Sequence, residues 1–195
     1  MKRRESYMEG LAALGELKRG NERFRMDRSK KEWADATLRA TLADGQNPIA
    51  AILACSDSRV APQIVFDARL GDLFTVKVAG NVADTSAIAS LEYAVGVLGV
   101  NLIFVMGHES CGAVGAAIHS EAISPHLRNL LKLIQPAVDA CSTGAVEDVI
   151  RLNAQLTADR CIRQSRLLTE AVEAGTLEVT TGYYYLTSGL VAFDR

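Results

Sequence analysis

The stretch "PIAAILACSDSRV", residues 48–60, runs from an unbroken apolar segment straight into a thiol, a carboxylate and a guanidinium. A short apolar run bounded by a proline and a polar cluster reads as a strand buried on both faces, the kind found in parallel sheets covered by helices. If the extended backbone continued beyond it, Cys55, Asp57 and Arg59 would point to one side. The end of this strand therefore reads as the mouth of a site.

Two more segments share the pattern, "LFTVKVAG" at 73–80 and "NLIFVMG" at 101–107. Between them, "DTSAIASLEYAVGVLG" at 84–99 opens on a capping residue, Asp84 or Thr85, and aligns Ile88, Leu91, Val95 and Leu98 at helical spacing. Strands alternating with helices predict an α/β fold, a mainly parallel central sheet flanked by crossover helices. Two helical stretches precede it: "YMEGLAALGELKRGNERF" at 7–24 gathers Leu14, Leu17 and Phe24, and "KKEWADATLRATLADG" at 30–45 gathers Trp33, Leu38 and Leu42. Residues 121–175 read as helices interrupted near Pro136 and Gly144, and "LEVTTGYYYLTSGLVAF" at 177–193 as a terminal hairpin around Ser188 and Gly189. The organisation expected is one domain over 1–195, with a helical arm at 1–45, a core carrying the site at 46–120, and C-terminal helices and hairpin at 121–195.

Composition narrows the chemistry. The chain has 195 residues, 49% of them hydrophobic, enough for a full core. A net charge of −2 offers no electrostatic reason to bind nucleic acid or an anionic membrane, so a small-molecule partner is expected. The apolar runs fall short of a membrane span, and "MKRRESYMEG" lacks the apolar stretch of a signal peptide, so a cytoplasmic location is expected. Four cysteines are too few for a disulfide scaffold, and in a reducing compartment a cysteine among polar groups points to metal or catalysis.

Partners for Cys55 come from "GHESCGAVG", residues 107–115, where His108 and Cys111 follow the third strand. Three residues apart, they can reach one ion, and in an open α/β sheet the carboxyl ends of strands are where sites form. Two thiolates and an imidazole suit zinc better than magnesium or calcium. Three protein ligands leave one of zinc's four positions for water, the mark of a catalytic rather than a structural site. Asp57 would accept a hydrogen bond from the resulting hydroxide while Arg59 keeps its carboxylate ionised. Cys141 and Cys161 lack partners at ligand spacing and read as structural, as do His119 and His126.

These motifs resemble the β-class carbonic anhydrases, with similarity running from "LKRGNERF" through "GQNP", "ACSDSRV", "GDLFTVKVAGN", "LEYAV" and "GHESCGAV" to "GYYYLTSGLV". The resemblance implies one zinc per chain on Cys55, His108 and Cys111, and an Asp57–Arg59 dyad. It also implies a substrate pocket of the plant-like subgroup at Gln46, Phe74 and Tyr93. The other subgroup carries a tryptophan and a glycine, forming a non-catalytic bicarbonate site, where this chain has Ile52 and Ala54. Asp57 is accordingly expected to pair with Arg59 rather than close the zinc site. Glu109 is an unusual neighbour for the histidine. The implied assembly is a homodimer or dimer of dimers, with the N-terminal helices across a partner subunit and Gln46 reaching the partner's pocket. The implied reaction is reversible hydration of carbon dioxide to bicarbonate and a proton by zinc-bound hydroxide. Hydrolysis of carbonyl sulfide or carbon disulfide, or a purely structural zinc site, are the alternatives.

Overall fold

A computed structural model describes residues 2–31 and 34–194, with side chains of the first helix described from Glu9 onward. Helix α1 (Lys2–Arg25) and the short α2 (Ala36–Leu42) precede strand β1 (Ala50–Ala54). There follow α3 (Pro62–Val65), β2 (Leu73–Lys77), a 3-10 turn at Ala79–Asn81, α4 (Thr85–Gly96), β3 (Leu102–His108) and α5 (Gly112–Ile118). Helices α6 (Pro125–Ala140), α7 (Val146–Gln164) and α8 (Arg166–Glu173) lead to β4 (Glu178–Tyr184) and β5 (Val191–Phe193).

The sheet has strand order β2-β1-β3-β4-β5 and is parallel except for β5. All five residues of β1 and all seven of β3 are buried, as their unbroken apolar sequences require for central parallel strands. Alternation splits them cleanly. Ile52, Phe104 and Met106 pack with Ala13 and Leu17 of α1 on one face, and Leu53, Ile103 and Val105 pack with α4, α7 and α8 on the other. A third cluster, built from α5, α6 and the start of α7, caps the carboxyl ends of the strands and includes Cys55 and Cys111. Since β2 and β3 both flank β1, the chain runs outward in opposite directions from the β1–β3 boundary, and the crevice there is the natural place for a site.

Helix α1 seats against the end of α3 through Gly20. A Cβ at that position would stand 1.8 Å from the carbonyl oxygen of Phe66, a backbone atom that no rotamer change can move aside. Gly20→Ala should therefore lower stability by about 1–3 kcal/mol or more, read as a reduced urea midpoint; an unchanged midpoint would show that the helix is not seated this closely.

Several sequence expectations are corrected. Helix α2 begins only after Asp35, whose side chain accepts a hydrogen bond from the Leu38 amide at 2.7 Å, so it is shorter than the 30–45 reading, and Trp33 lies outside the described residues. Pro136 does not interrupt the helical region: α6 runs through it and ends at Ala140, where Cys141 turns extended, and Gly144, with φ +67°, lies in the short connection to α7. Residues 121–124 are not helical, because Ser124 caps α6 by accepting from the Leu127 amide. The terminal hairpin forms, with Gly189 at φ +72°, but its first strand also extends the parallel sheet beside β3. Among the described residues no helix is long and apolar enough to cross a membrane.

Candidate metal centre

Cys55 is the first residue beyond β1, His108 the last residue of β3, and Cys111 the N-cap of α5. Neighbouring parallel strands thus deliver the first two, and the tight turn Glu109–Ser110, with Ser110 at φ +55°, delivers the third. All three are buried, and their ligand atoms lie within 4.8 Å of one another. The two Sγ atoms are 4.0 Å apart. Two sulfurs on one tetrahedral zinc with bonds of about 2.3 Å stand about 3.8 Å apart, so the pair needs almost no adjustment to share an ion.

The histidine is the sharper test. Its Nδ1 lies 2.9 Å from the carbonyl oxygen of Glu109, which can only accept, so Nδ1 carries the proton and Nε2 presents a lone pair. That Nε2 is buried with no hydrogen-bond partner. An orphaned acceptor inside a protein is costly unless something absent from the chain itself satisfies it, and here two thiols face it. The donor set of two sulfurs and one imidazole fits zinc.

Electrostatics favour a thiolate at Cys55. Its pKa is drawn well down, chiefly by the hydrogen bond from the Cys111 thiol against the opposing effect of burial, with further help from backbone N–H groups. These are the amides of Asp57 at 3.4 Å and Gly80 at 3.2 Å from Sγ. Cys111 is pushed up by the same hydrogen bond and by burial. Both sulfurs must be thiolates to hold a metal, and a divalent cation offsets the burial and mutual repulsion that resist the second ionisation. Gly80 reaches the sulfur with φ +68°, and a Cβ there would stand 2.7 Å from Cδ1 of Ile134. Its own carbonyl accepts from the buried Asn153 of α7 at 2.8 Å.

Asp57 and Arg59 do not continue the strand. The chain turns at Asp57, whose carbonyl accepts from the Val60 amide, so the two groups meet across a turn rather than by alternation. Arg59 grips both carboxylate oxygens, at 3.0 Å and 2.7 Å, and donates at 3.3 Å to the Ser110 carbonyl in the other ligand loop. The guanidinium hydrogen bond holds Asp57 well below the usual carboxylate range, against a weaker opposing effect of burial. Lys77 pins the same turn by donating to the carbonyls of Val60 at 2.7 Å and Asp57 at 3.2 Å. Asp57 lies outside the group of three that can share an ion.

The other sequence-predicted site residues stand apart from this cluster in the single chain. Phe74 and Tyr93 face each other with ring centroids 6.2 Å apart, Phe74 packing on the α4 side of the sheet and Tyr93 half exposed. Gln46 is exposed, just after α2. Cys161 is buried in α7, its thiol pushed up to about 12 by burial, and Cys141 contacts Thr143 at the end of α6. Neither joins a metal-holding group among the described residues. Sequence reading missed Lys77, Gly80 and Asn153. Only Gly80 carried a local signal, a glycine just after a strand; Asn153 reaches the site from a helix more than seventy residues away in sequence.

A family model described as carbonic anhydrase matches residues 50–191. Carbonic anhydrase 2 of Mycobacterium tuberculosis strain H37Rv is 38% identical over 188 residues, covering 92% of this chain and 90% of that protein. Among solved structures, a tetrameric β-carbonic anhydrase of the ascomycete Sordaria macrospora superposes with a TM-score of 0.70 at 27% identity, covering 82% of this chain and 86% of that one. The Coccomyxa β-carbonic anhydrase, solved with acetazolamide, gives 0.72 at 25% identity, covering 82% and 77%. With the family model spanning most of the chain and so similar a relative over nine-tenths of it, the protein is an enzyme that belongs to the β-carbonic anhydrase family.

Proposed function

We propose that this enzyme catalyses the reversible hydration of carbon dioxide to bicarbonate and a proton, using one zinc ion per chain held by Cys55, His108 and Cys111. The observation that supports it most strongly is the unpartnered, buried Nε2 of His108 facing two sulfurs 4.0 Å apart. Zinc, when bound with one position left to solvent, lowers the pKa of water from about 15.7 towards 7 and so supplies a nucleophile at neutral pH.

The chain's own residues orient that nucleophile. Asp57 is an acceptor fixed in direction by the Arg59 amide and Nε on Oδ1 and by Arg59 Nη2 on Oδ2, and Oδ2, with that single donor, has a lone pair to spare for the nucleophile's proton. Arg59 keeps Asp57 ionised and, through Ser110, ties it to the loop carrying His108 and Cys111. Because Asp57 titrates well below the usual range, it stays ionised as pH falls through the neutral region, and what it contributes is lost only in strong acid. Hydration activity should therefore rise with pH as the nucleophile ionises, with no break from Asp57 above pH 5. A pH–rate profile by stopped flow checks this; a carboxylate-like break near pH 5 to 6 would contradict it.

Gln46, Phe74 and Tyr93 complete the substrate pocket only across a dimer. This is consistent with the exposure of Gln46 and Tyr93 and with α2, which buries no residue in the single chain. The Sordaria relatives are tetrameric. Sedimentation at assay concentration should show a dimer or larger species, and a fully active monomer would rule out the shared pocket. Turnover of carbon dioxide measured against carbonyl sulfide tests the substrate, with carbon dioxide expected to dominate and a preference for carbonyl sulfide overturning the proposal.

A further inference from the structure

We infer that Glu109 is a positioning residue for the zinc ligand His108, acting through a strap to the β4–β5 turn; this rests on the reading of Cys55, His108 and Cys111 as zinc ligands. The Nδ1 proton of His108 is held by the Glu109 carbonyl, and that hydrogen bond sets both the tautomer and the ring direction that aim Nε2 at the sulfurs. The carbonyl is only as well placed as Glu109 itself, which sits in a loop whose next residue, Ser110, adopts a left-handed conformation that L side chains resist.

Glu109 is anchored on two sides. Its amide donates to the Tyr184 carbonyl at 2.8 Å, continuing the β3–β4 pairing by one residue. Its carboxylate oxygen Oε2 accepts from both the Thr187 amide at 3.0 Å and the Thr187 hydroxyl at 3.2 Å. The turn it grips is itself fixed from behind. Asn21 of α1 donates to the Gly189 carbonyl and accepts from the Val191 amide, both at 2.8 Å, and the Tyr185 hydroxyl lies between Arg151 and Glu147 of α7. A small residue at position 109 would leave the ligand loop without its side-chain tie to this frame.

The experiment measures Zn2+ affinity by competition with a chelator, and the visible spectrum after cobalt(II) substitution, in the parent, Glu109→Ala and Glu109→Gln proteins. Outer-shell partners of this kind change metal affinity by about 10- to 100-fold, and the half-exposed strap places the Glu109→Ala loss near 10-fold, with altered cobalt bands. Glu109→Gln keeps an oxygen that can accept from Thr187, so it should stay within about twofold of the parent and keep the parent's bands. If Glu109→Ala binds Zn2+ as tightly as the parent, the positioning role is wrong. If Glu109→Gln is as weak as Glu109→Ala, the effect is one of charge and the strap is again wrong. A parent that binds no Zn2+ overturns the ligand assignment itself, and this role with it.

Discussion

Cys55→Ala should lose zinc and carbon dioxide hydration together. Four-ligand zinc sites are worth about 10–16 kcal/mol in total, so removing one ligand costs about 3 kcal/mol, more than 100-fold in affinity. The loss here is compounded, because the amides of Asp57 and Gly80 that support the thiolate lose their acceptor. Cys55 is one buried member of the cluster capping the sheet, and the deleted sulfur is small, so the fold should survive as judged by circular dichroism. Elemental analysis and stopped-flow hydration on the same preparation report the outcome. Full zinc content in this variant would remove Cys55 from the ligand set.

Asp57→Asn should behave in the opposite way with respect to metal: zinc retained, hydration lost. The side chain is not among the three groups that can share the ion, so affinity should change little. The amide keeps one oxygen, gains two donors and cannot form the ion pair with Arg59 at 2.7 Å. A positioned acceptor of the nucleophile's proton contributes about 10²–10⁴-fold, and activity should fall by that order. Full activity at full zinc content would mean that the Asp57–Arg59 pair only shapes the turn.

The contrast between these variants reflects how the two parts of the site are encoded. The cluster of Cys55, His108 and Cys111, which could hold a metal, was legible because its information is local: an apolar run ending in Cys55, another ending in His108, and a single turn separating His108 from Cys111. Reading both runs as buried parallel strands suffices to bring their ends together, and β1 and β3 do pair. Alternation beyond β1 misjudged Asp57 and Arg59, because a turn closed by the Val60 amide, which periodicity does not register, sets their geometry. Pro136 was read as a breaker, yet α6 carries it, since packing of Leu131, Ile134 and Ala137 against the rest of the core outweighs one lost backbone bond. The supports of the site were illegible for a different reason: Asn153, Lys77 and Thr187 act through contacts made only once distant elements have packed. Gln46 and Tyr93 are exposed in one chain, and the proposed pocket between subunits rests on the resemblance rather than on a pattern along the sequence.

The most direct test of zinc-dependent hydration is titration of the metal-depleted protein with Zn2+ while the rate of carbon dioxide hydration is followed by stopped flow. The rate should start at the uncatalysed level, rise in proportion to added zinc and break at one ion per chain. Full activity without zinc, or a fully loaded protein that hydrates no faster than buffer, would contradict it.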